Sequence, residues 1–389
     1  MPSSSASVAA QGPGWASCDV LHVLWSGHVG GIERQVEAVA RAGNSQGSRT
    51  HRVCFLDGRG PIGDALEDQG LAVRLRMDTG GNPVGLQRLA RLLRATRPAI
   101  LHLHTAALGT HLTALAALPR TPMVYTEHFP RVLDGARRFR TVYRLHRRRN
   151  TRFVALSSGM ASAMASCGLD RGGITVVPNA VCVPIIDARA RRDPGATVGF
   201  VGRLVEQQRT SLLVDVVGEL ARRGTACDAL VVGDGPARTD LERRAAERGV
   251  ADRVRFAGEQ DDVVPWLDRL DVFLSTRESA VYPLALLEAM ARGVPVVAMA
   301  ARGGLAEIAG QGGLLLADRE IGTAADAVER LLSSKEERDR LAARGLGLAA
   351  EHSLELVLAR LDAVYEAAVS SRIPDRARTE VAAADWDTR

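Results

Sequence analysis

The feature that most constrains this chain is an alternation that runs through it twice. A short apolar run is followed by a stretch with helical periodicity, then by another apolar run. Val20 to Trp25 is apolar and ends at a glycine-rich loop, Gly27 to Gly31; Ile32 to Ala42 follows, with Val36, Val39 and Ala40 at helical spacing. Arg52 to Leu56, Leu71 to Leu75, Ile100 to Leu103, Met123 to Thr126 and Phe153 to Leu156 read as strands, with helices over Gly63 to Gln69 and Leu86 to Ala95, the latter stopped by Arg97-Pro98. Val176-Val177-Pro178 ends this series, and Thr197 to Val201 opens a second. The second series continues with helices over Leu212 to Leu220, Arg238 to Arg248 and Leu284 to Ala291, and strands over Ala229 to Val232, Val254 to Ala257, Val272 to Leu274 and Pro295 to Met299. Strands alternating with helices imply a parallel sheet covered on both faces. The fold class is therefore α/β, with two doubly wound Rossmann-like domains in tandem. Such sheets bind ligands beyond the carboxyl ends of their strands, and two facing domains would place a site in the cleft between them.

Length agrees, since 389 residues exceed one ordinary core and suggest two domains of about 150–200 residues. Residues 1–17, rich in Ser, Ala, Gly and Pro, read as a disordered leader without the basic start and apolar core of a secretory signal. The expected divisions are an N-terminal domain over 18–186, an Arg-, Asp- and Pro-rich linker over 187–195, a C-terminal domain over 196–352 and a polar, flexible tail over 371–389. No apolar run approaches the roughly 20 residues of a membrane span. The five cysteines, Cys18, Cys54, Cys167, Cys182 and Cys227, are scattered and never spaced as CxxC. That argues against a disulfide framework or zinc site and for a reducing cytoplasm. The net charge of +5 rests almost wholly on arginine, Lys335 being the only lysine, so arginine clusters are discounted as compositional before being read as functional.

Four segments carry chemistry. Gly30-Gly31-Ile32-Glu33-Arg34 follows a strand and opens a helix, where glycines let backbone N–H groups approach an anion and the helix dipole favours it; a plain tight turn fits the same residues. Val201-Gly202-Arg203-Leu204 places an arginine at a strand exit, able to aim two N–H groups at a diphosphate or simply to cap the sheet end. Val231-Val232-Gly233-Asp234-Gly235-Pro236 is a strand and turn whose role reads as structural. Tyr282-Pro283-Leu284-Ala285-Leu286-Leu287-Glu288-Ala289-Met290 opens a helix whose first N–H groups suit a phosphate. Glu288 stands in an otherwise apolar stretch and needs a partner: two ribose hydroxyls, or Arg292 one turn on.

In this order and spacing, these segments resemble the GT-B fold retaining glycosyltransferases of the large glycosyl transferases group 1 family. Leu101-His102-Leu103-His104, Thr126-Glu127-His128, Val177-Pro178-Asn179-Ala180-Val181, Pro295-Val296-Val297 and Gly303-Gly304-Leu305-Ala306-Glu307 join the resemblance, which covers nearly all of residues 20–370. It implies a hexose or amino-hexose transferred from a nucleotide diphosphate sugar, UDP first among UDP, GDP and ADP, to an acceptor hydroxyl with retention of configuration. It implies no metal and no cofactor. Donor binding falls to Arg203, Gln208, Glu288, the N–H groups of Leu284 and Ala285, and Gly30 and Gly31; the catalytic assignments are His128, facing the donor sugar, and Arg203. The helix over 353–370 is expected to return to the N-terminal domain. The acceptor is a small glycoside, an aminocyclitol-like scaffold or a lipid-linked or cell-surface glycan.

Two departures stand out. The position where the family has a diphosphate-holding lysine is Gln208, followed by Arg209 in place of glycine. The first of the family's two glutamates is missing at Ala280, and Glu278, two residues upstream, is the candidate to contact the sugar in its place through a different loop path. Segment Arg131 to Arg152 carries nine arginines against Asp134, and both a solvated face and peripheral contact with the inner face of a membrane fit it; no nucleic-acid reader motif accompanies it. His22, His51, His111, His146 and His352 are assigned no role, and His102 and His104 read as core or strand-end residues rather than metal ligands. Other readings stay open: a catalytically silent scaffold of the same fold, for which Gln208 and Ala280 speak, a nucleotide-sugar epimerase, which the Glu288 helix fits poorly, and a membrane-surface module resting on the basic segment.

Overall fold

The computed structural model describes residues 17–28, 30–46, 49–58, 60–79, 81–128, 137–146, 151–186, 196–280 and 282–370, with backbone only at 137–139. The expected linker 187–195, the tail 371–389, all but residue 17 of the leader, and much of the basic segment lie outside them. The chain divides into two compact units. The first runs through Val177 and resumes at Val357; the second is Pro178–Leu356. Residues 178–186 thus group with the second unit, where the Ile186 N–H bonds the Ala291 carbonyl at 3.0 Å.

The first unit alternates β1 (Val20–Leu24), α1 (Gly31–Gln46), β2 (His51–Phe55), α2 (Pro61–Asp68), β3 (Ala72–Arg74), α3 (Pro83–Thr96), β4 (Ile100–Leu103), α4 (Leu108–Ala117), β5 (Met123–Glu127), α5 (Arg137–His146), β6 (Thr151–Ala155), α6 (Ser158–Ser166) and β7 (Ile174–Val176). Its seven strands are parallel in the order β3-β2-β1-β4-β5-β6-β7. The order reverses between β1 and β4, so their carboxyl ends form the switch point where such sheets receive ligands. Local signals set the boundaries. Asn82 caps α3 by accepting from Val84 and Gly85 N–H, Pro83 takes the first turn, and Arg97 ends the helix at φ +41° before Pro98. This helix begins three residues earlier than its apolar periodicity predicts, because cap and proline, not apolar spacing, start it.

The second unit runs β8 (Thr197–Val201), α7 (Ser211–Arg222), β9 (Asp228–Val232), α8 (Arg238–Glu247), β10 (Val254–Gly258), α9 (Val264–Leu267), β11 (Val272–Ser275), β12 (Ser279–Ala280), α10 (Leu284–Ala291), β13 (Val296–Ala298), β14 (Arg302–Gly303), α11 (Gly304–Gly312), β15 (Leu314–Leu315), α12 (Ile321–Ser333), α13 (Lys335–Glu351) and α14 (Leu354–Ser370). Most of α14 belongs to the first unit. The main sheet has the order β10-β9-β8-β11-β13-β15, and β12 pairs with β14 beside it. Alternation along the strands feeds two cores. Val198, Phe200, Val272 and Leu274 pack with α7, α8 and α12, whereas Val201, Phe273, Val296 and Ala298 pack with α9, α10 and α11. Among the described residues no helix is long and apolar enough to cross a membrane.

Candidate active site

In the second unit, the candidate donor residues gather at the carboxyl ends of the strands. Gly202 N–H bonds the Val232 carbonyl at 2.9 Å and Leu204 N–H bonds the Asp234 carbonyl at 2.8 Å, so the loops after β8 and β9 lie backbone against backbone. Gly233, at φ +128°, makes this approach feasible, since a methyl there would collide with the Gly202 carbonyl oxygen. The loop presents Arg203 to solvent, and Arg203 has no ion pair among the described residues. Gln208 lies beside Gly202, and its carbonyl accepts from Thr276 Oγ1 at 2.8 Å. Arg209 stands at φ +51° and pairs with Glu278 at 3.0 Å, and Arg302 donates to the other Glu278 oxygen at 2.5 Å. Arg319 donates to the carbonyls of Ala300, at 2.8 Å, and Thr276, tying together the ends of β11 and β13. Burial, then the neighbouring positive charge of Arg209, lowers its pKa. Three guanidinium groups thus surround Glu278.

Helix α10 opens without a capping side chain, at Pro283, leaving the Leu284 and Ala285 N–H groups directed out of its first turn. Glu288, one turn in, is 9% exposed. Arg292 is not held for Glu288: it makes a two-point contact with Asp268 at 2.7 and 2.9 Å and donates to the Pro184 carbonyl. Ala280 is buried in the apolar core with Leu286, Leu287 and Leu305, so that position faces inward while Glu278 faces its arginines. A cavity of about 330 Å³ lined by Thr197, Asp228, Arg253 and Arg269 lies at the opposite, amino ends of β8–β10, away from these groups.

In the first unit, the Gly30 carbonyl accepts from Arg34 N–H at 3.0 Å as α1 begins. The Glu33 carboxylate folds over Gly30, so that a side chain there would collide with it, and accepts from the Ser26 hydroxyl at 3.1 Å. Burial raises the Glu33 pKa. His128 follows β5, and its Nε2 meets His104 Nδ1 at 3.0 Å. His104 Nε2 meets His22 Nδ1 at 3.0 Å, and His22 Nε2 meets His51 Nδ1 at 2.9 Å. His102 lies alongside, bonded to Tyr365 on α14 at 2.8 Å and to Thr126 at 2.7 Å. Burial drives His51 down to about 4, His128 to about 3, and His22, His102 and His104 well below the ordinary range, so all five rings are neutral near pH 7.

Residues 29–183 match the family model described as Glycosyltransferase Family 4, and residues 195–334 match that described as Glycosyl transferases group 1. The chain carries a glycosyltransferase family 4 domain followed by a glycosyl transferases group 1 domain. Among relatives of this chain, the 2-deoxystreptamine glucosyltransferase of Streptomyces kanamyceticus is 33% identical over 202 residues, covering 48% of this chain and 52% of its own. The lipopolysaccharide core biosynthesis glycosyltransferase LpsE of Rhizobium meliloti is 33% identical over 207 residues, covering 51% and 58%. The chain spans about half the length of these curated relatives. The fold is GT-B: Anabaena HepE, solved with UDP and glucose, superposes with a TM-score of 0.73 at 19% identity over 90% of this chain and 99% of its own.

Sequence reading places the family's donor motifs at the strand ends of the second unit, and the structure brings Arg203, Gln208, Arg209 and Glu278 to that end. It misses Arg319, which no motif marks. It also misses His22 and His51, to which it gives no role, although both belong to the chain that reaches His128. His111, His146 and His352 are structural. His111 bonds His146 at 2.8 Å and the Thr105 carbonyl at 2.7 Å, and His352 bonds the Leu348 carbonyl at 2.7 Å as α13 ends. A signal existed: a histidine within a buried parallel strand must find a hydrogen bond. What the sequence hides is the register that sets His22 beside His102.

Proposed function

We propose that the chain is a retaining, metal-independent hexosyltransferase that moves a hexose or amino-hexose from a UDP-sugar to an acceptor hydroxyl. The observation that carries this reading is the uncapped first turn of α10, with Glu288 buried one turn behind it and, in the same unit, the exposed Arg203 that has no ion pair among the described residues. The Leu284 and Ala285 N–H groups and Arg203 would hold the diphosphate; Glu288 would accept the two ribose hydroxyls. Departure of the nucleotide leaves charge on the phosphate oxygens. Fixed N–H groups and guanidinium stabilise that charge without reorganising, which is the work a metal would otherwise do. Arg209 and Arg319 supply positive charge near Gln208, where the family's lysine is missing, and Glu278 takes the side of the site that Ala280 leaves apolar. Gly30 and Gly31 would offer backbone N–H groups to the donor, and His128 a hydrogen bond to its sugar. The anomeric carbon is attacked from the face the nucleotide leaves, retaining configuration.

The relatives in aminoglycoside and lipopolysaccharide synthesis favour a small aminocyclitol or glycan acceptor. On α5, Arg140 and Arg144 are exposed while Val142, Tyr143 and His146 are buried, which suits a cytoplasmic protein touching the inner membrane face. A silent scaffold is the second reading, favoured by Glu278 being engaged by both Arg209 and Arg302. Thermal unfolding against UDP, GDP, ADP and dTDP separates the two. One nucleotide at 100 times its dissociation constant adds about 2.7 kcal/mol of stability, and no shift with any of them sinks the transferase. Arg203→Ala is expected to weaken nucleotide binding by roughly 10- to 150-fold, the worth of about 1.5–3 kcal/mol for a charged hydrogen bond. Product configuration by NMR and turnover in EDTA check retention and metal independence.

A further inference from the structure

His51, His22, His104 and His128 are joined ring to ring by three nitrogen–nitrogen contacts of 2.9, 3.0 and 3.0 Å. The line runs diagonally across one face of the sheet, from the first residue of β2 to the residue after β5. At its inner end, His128 Nδ1 is sealed from solvent and has no partner among the described residues. At its outer end, His51 Nε2 carries no hydrogen bond among them but, unlike His128 Nδ1, is not sealed from solvent, so water can serve either an N–H or a lone pair there.

We propose that His51, His22 and His104 are positioning residues that fix His128 in the Nε2–H tautomer, presenting Nδ1 as a bare acceptor for a ligand hydroxyl. The ligand's identity as a sugar rests on the function proposed above; the tautomer does not.

The argument is one of counting. A neutral imidazole has one N–H and one lone pair. In a line of neutral rings each contact needs one of each, so choosing the direction of one bond fixes all the others. Only two polarities exist. In the first, His128 donates to His104, His104 to His22 and His22 to His51, leaving a lone pair on His128 Nδ1 and N–H on His51 Nε2. The second reverses every bond and leaves a buried N–H on His128 Nδ1 with no acceptor among the described residues. Orphaned buried N–H groups are rarer than orphaned acceptors, which disfavours the second polarity.

A metal reading of the same rings fails on their hydrogen bonds. Nitrogens of His22, His102 and His104 lie within 4.8 Å of one another, within reach of one ion. Yet His22 and His104 are bonded to each other, and both His102 nitrogens are taken by the hydroxyls of Tyr365 and Thr126.

The test is the ¹⁵N spectrum of the full chain labelled at histidine, which separates pyrrole-type from pyridine-type nitrogens without any substrate. The expected result is pyridine-type Nδ1 and pyrrole-type Nε2 on His128, His104, His22 and His51 alike. His51→Leu removes the acceptor for His22 and leaves both polarities with one orphan N–H and one orphan lone pair. The His128 Nδ1 signal, three rings away, should move towards an averaged value. His51→Asn keeps an acceptor near the lost Nδ1 and should restore the wild-type signal. Three results overturn the proposal: Nδ1–H on His128 in the wild-type chain, a His51→Leu variant that loses melting temperature while the His128 and His104 signals stay fixed, or stoichiometric stabilisation by Zn²⁺. The wild-type spectrum decides the polarity even if the leucine variant does not fold. A failed nucleotide panel would leave the tautomer result intact, so the two readings fail separately.

Discussion

On one face of the first unit's sheet lie His51, His22, His102 and His104; at the matching positions of the second unit's strands lie Val198, Phe200, Val231, Val272 and Leu274. Eight of the nine histidines fall in the first unit and one, His352, in the second. The other face of the first unit is polar too: Glu127, fully buried, accepts from the hydroxyls of Tyr125 at 3.0 Å and Tyr143 at 2.9 Å. The second unit buries its carboxylate differently. Asp215 is 2% exposed and held by Arg244 at 2.6 Å and Arg248 at 2.9 Å, whose own side chains reach solvent. Two sheets of the same kind are therefore stabilised by different means. One depends on every member of a buried network finding its partner, the other on apolar packing and close backbone approach.

Acid should separate the two most strongly. The unfolded chain binds a proton at each histidine near pH 6.5, and the folded first unit does not until His51 titrates near 4 and His128 near 3. Folded pKa values below unfolded ones mean that this stability is complete above pH 6.5 and is lost as pH falls below it. Each such histidine contributes a slope of about 1.4 kcal/mol per pH unit in that window. The shifted carboxylates of the second unit, Glu219 at about 2 through its bonds to Arg222 and Arg223, and Asp234 lowered by the Gly235 N–H and Arg238, act only below the ordinary carboxylate range. Hydrogen exchange from pH 7 to 4.5 should show the first unit opening before the second; equal loss in both would erase the distinction.

Gly233→Ala tests the second unit's side of the comparison. The methyl meets the Gly202 carbonyl and the residue must hold φ +128°. A loss of about 3 kcal/mol, confined by hydrogen exchange to the second unit, is expected. A neutral outcome would show that the β8 and β9 loops can separate, and would loosen the placement of Arg203.

These two regions were also unequally legible in the sequence. The second unit could be read nearly in full because its signals are local: β-branched runs such as Val231-Val232, glycines at turns and a proline at the start of α10. Arg203 and Glu288 stand out in their local sequence, whereas Gln208 and Glu278 follow from the resemblance to the group 1 family. The first unit's chemistry depends on register between residues 22, 51, 102 and 365, and no spacing in the sequence encodes it. His22 is an isolated polar residue in an apolar run, and His51 sits among Arg49, Thr50 and Arg52 where a polar residue draws no notice. Arg319 was hidden for a similar reason, since the carbonyls it binds, those of Ala300 and Thr276, lie 19 and 43 residues away.

Tyr365→Phe sharpens the contrast at a single atom. The change keeps the ring in place and removes the hydroxyl from His102 Nδ1, leaving a buried nitrogen unpaired. The expected loss is about 1–3 kcal/mol of first-unit stability by denaturant unfolding. A loss no larger than that of a surface substitution would mean the network tolerates gaps, and the idea that the first unit depends on complete pairing would fail.

Arg302→Ala is the mildest test and probes the ion cluster rather than the cores. Arg302 is 76% exposed and shares Glu278 with Arg209, so its removal leaves the carboxylate paired. Exposed ion pairs are worth about 0–1 kcal/mol, and stability should stay within that range. The informative quantity is donor affinity. With one arginine gone, Glu278 should bind Arg209 more exclusively, drawing positive charge from the region of Gln208 and lowering nucleotide affinity without changing the fold. Affinity that rises instead would mean Arg302 had been holding Glu278 in place against the donor. Glu278 would then restrain the site instead of contacting the sugar.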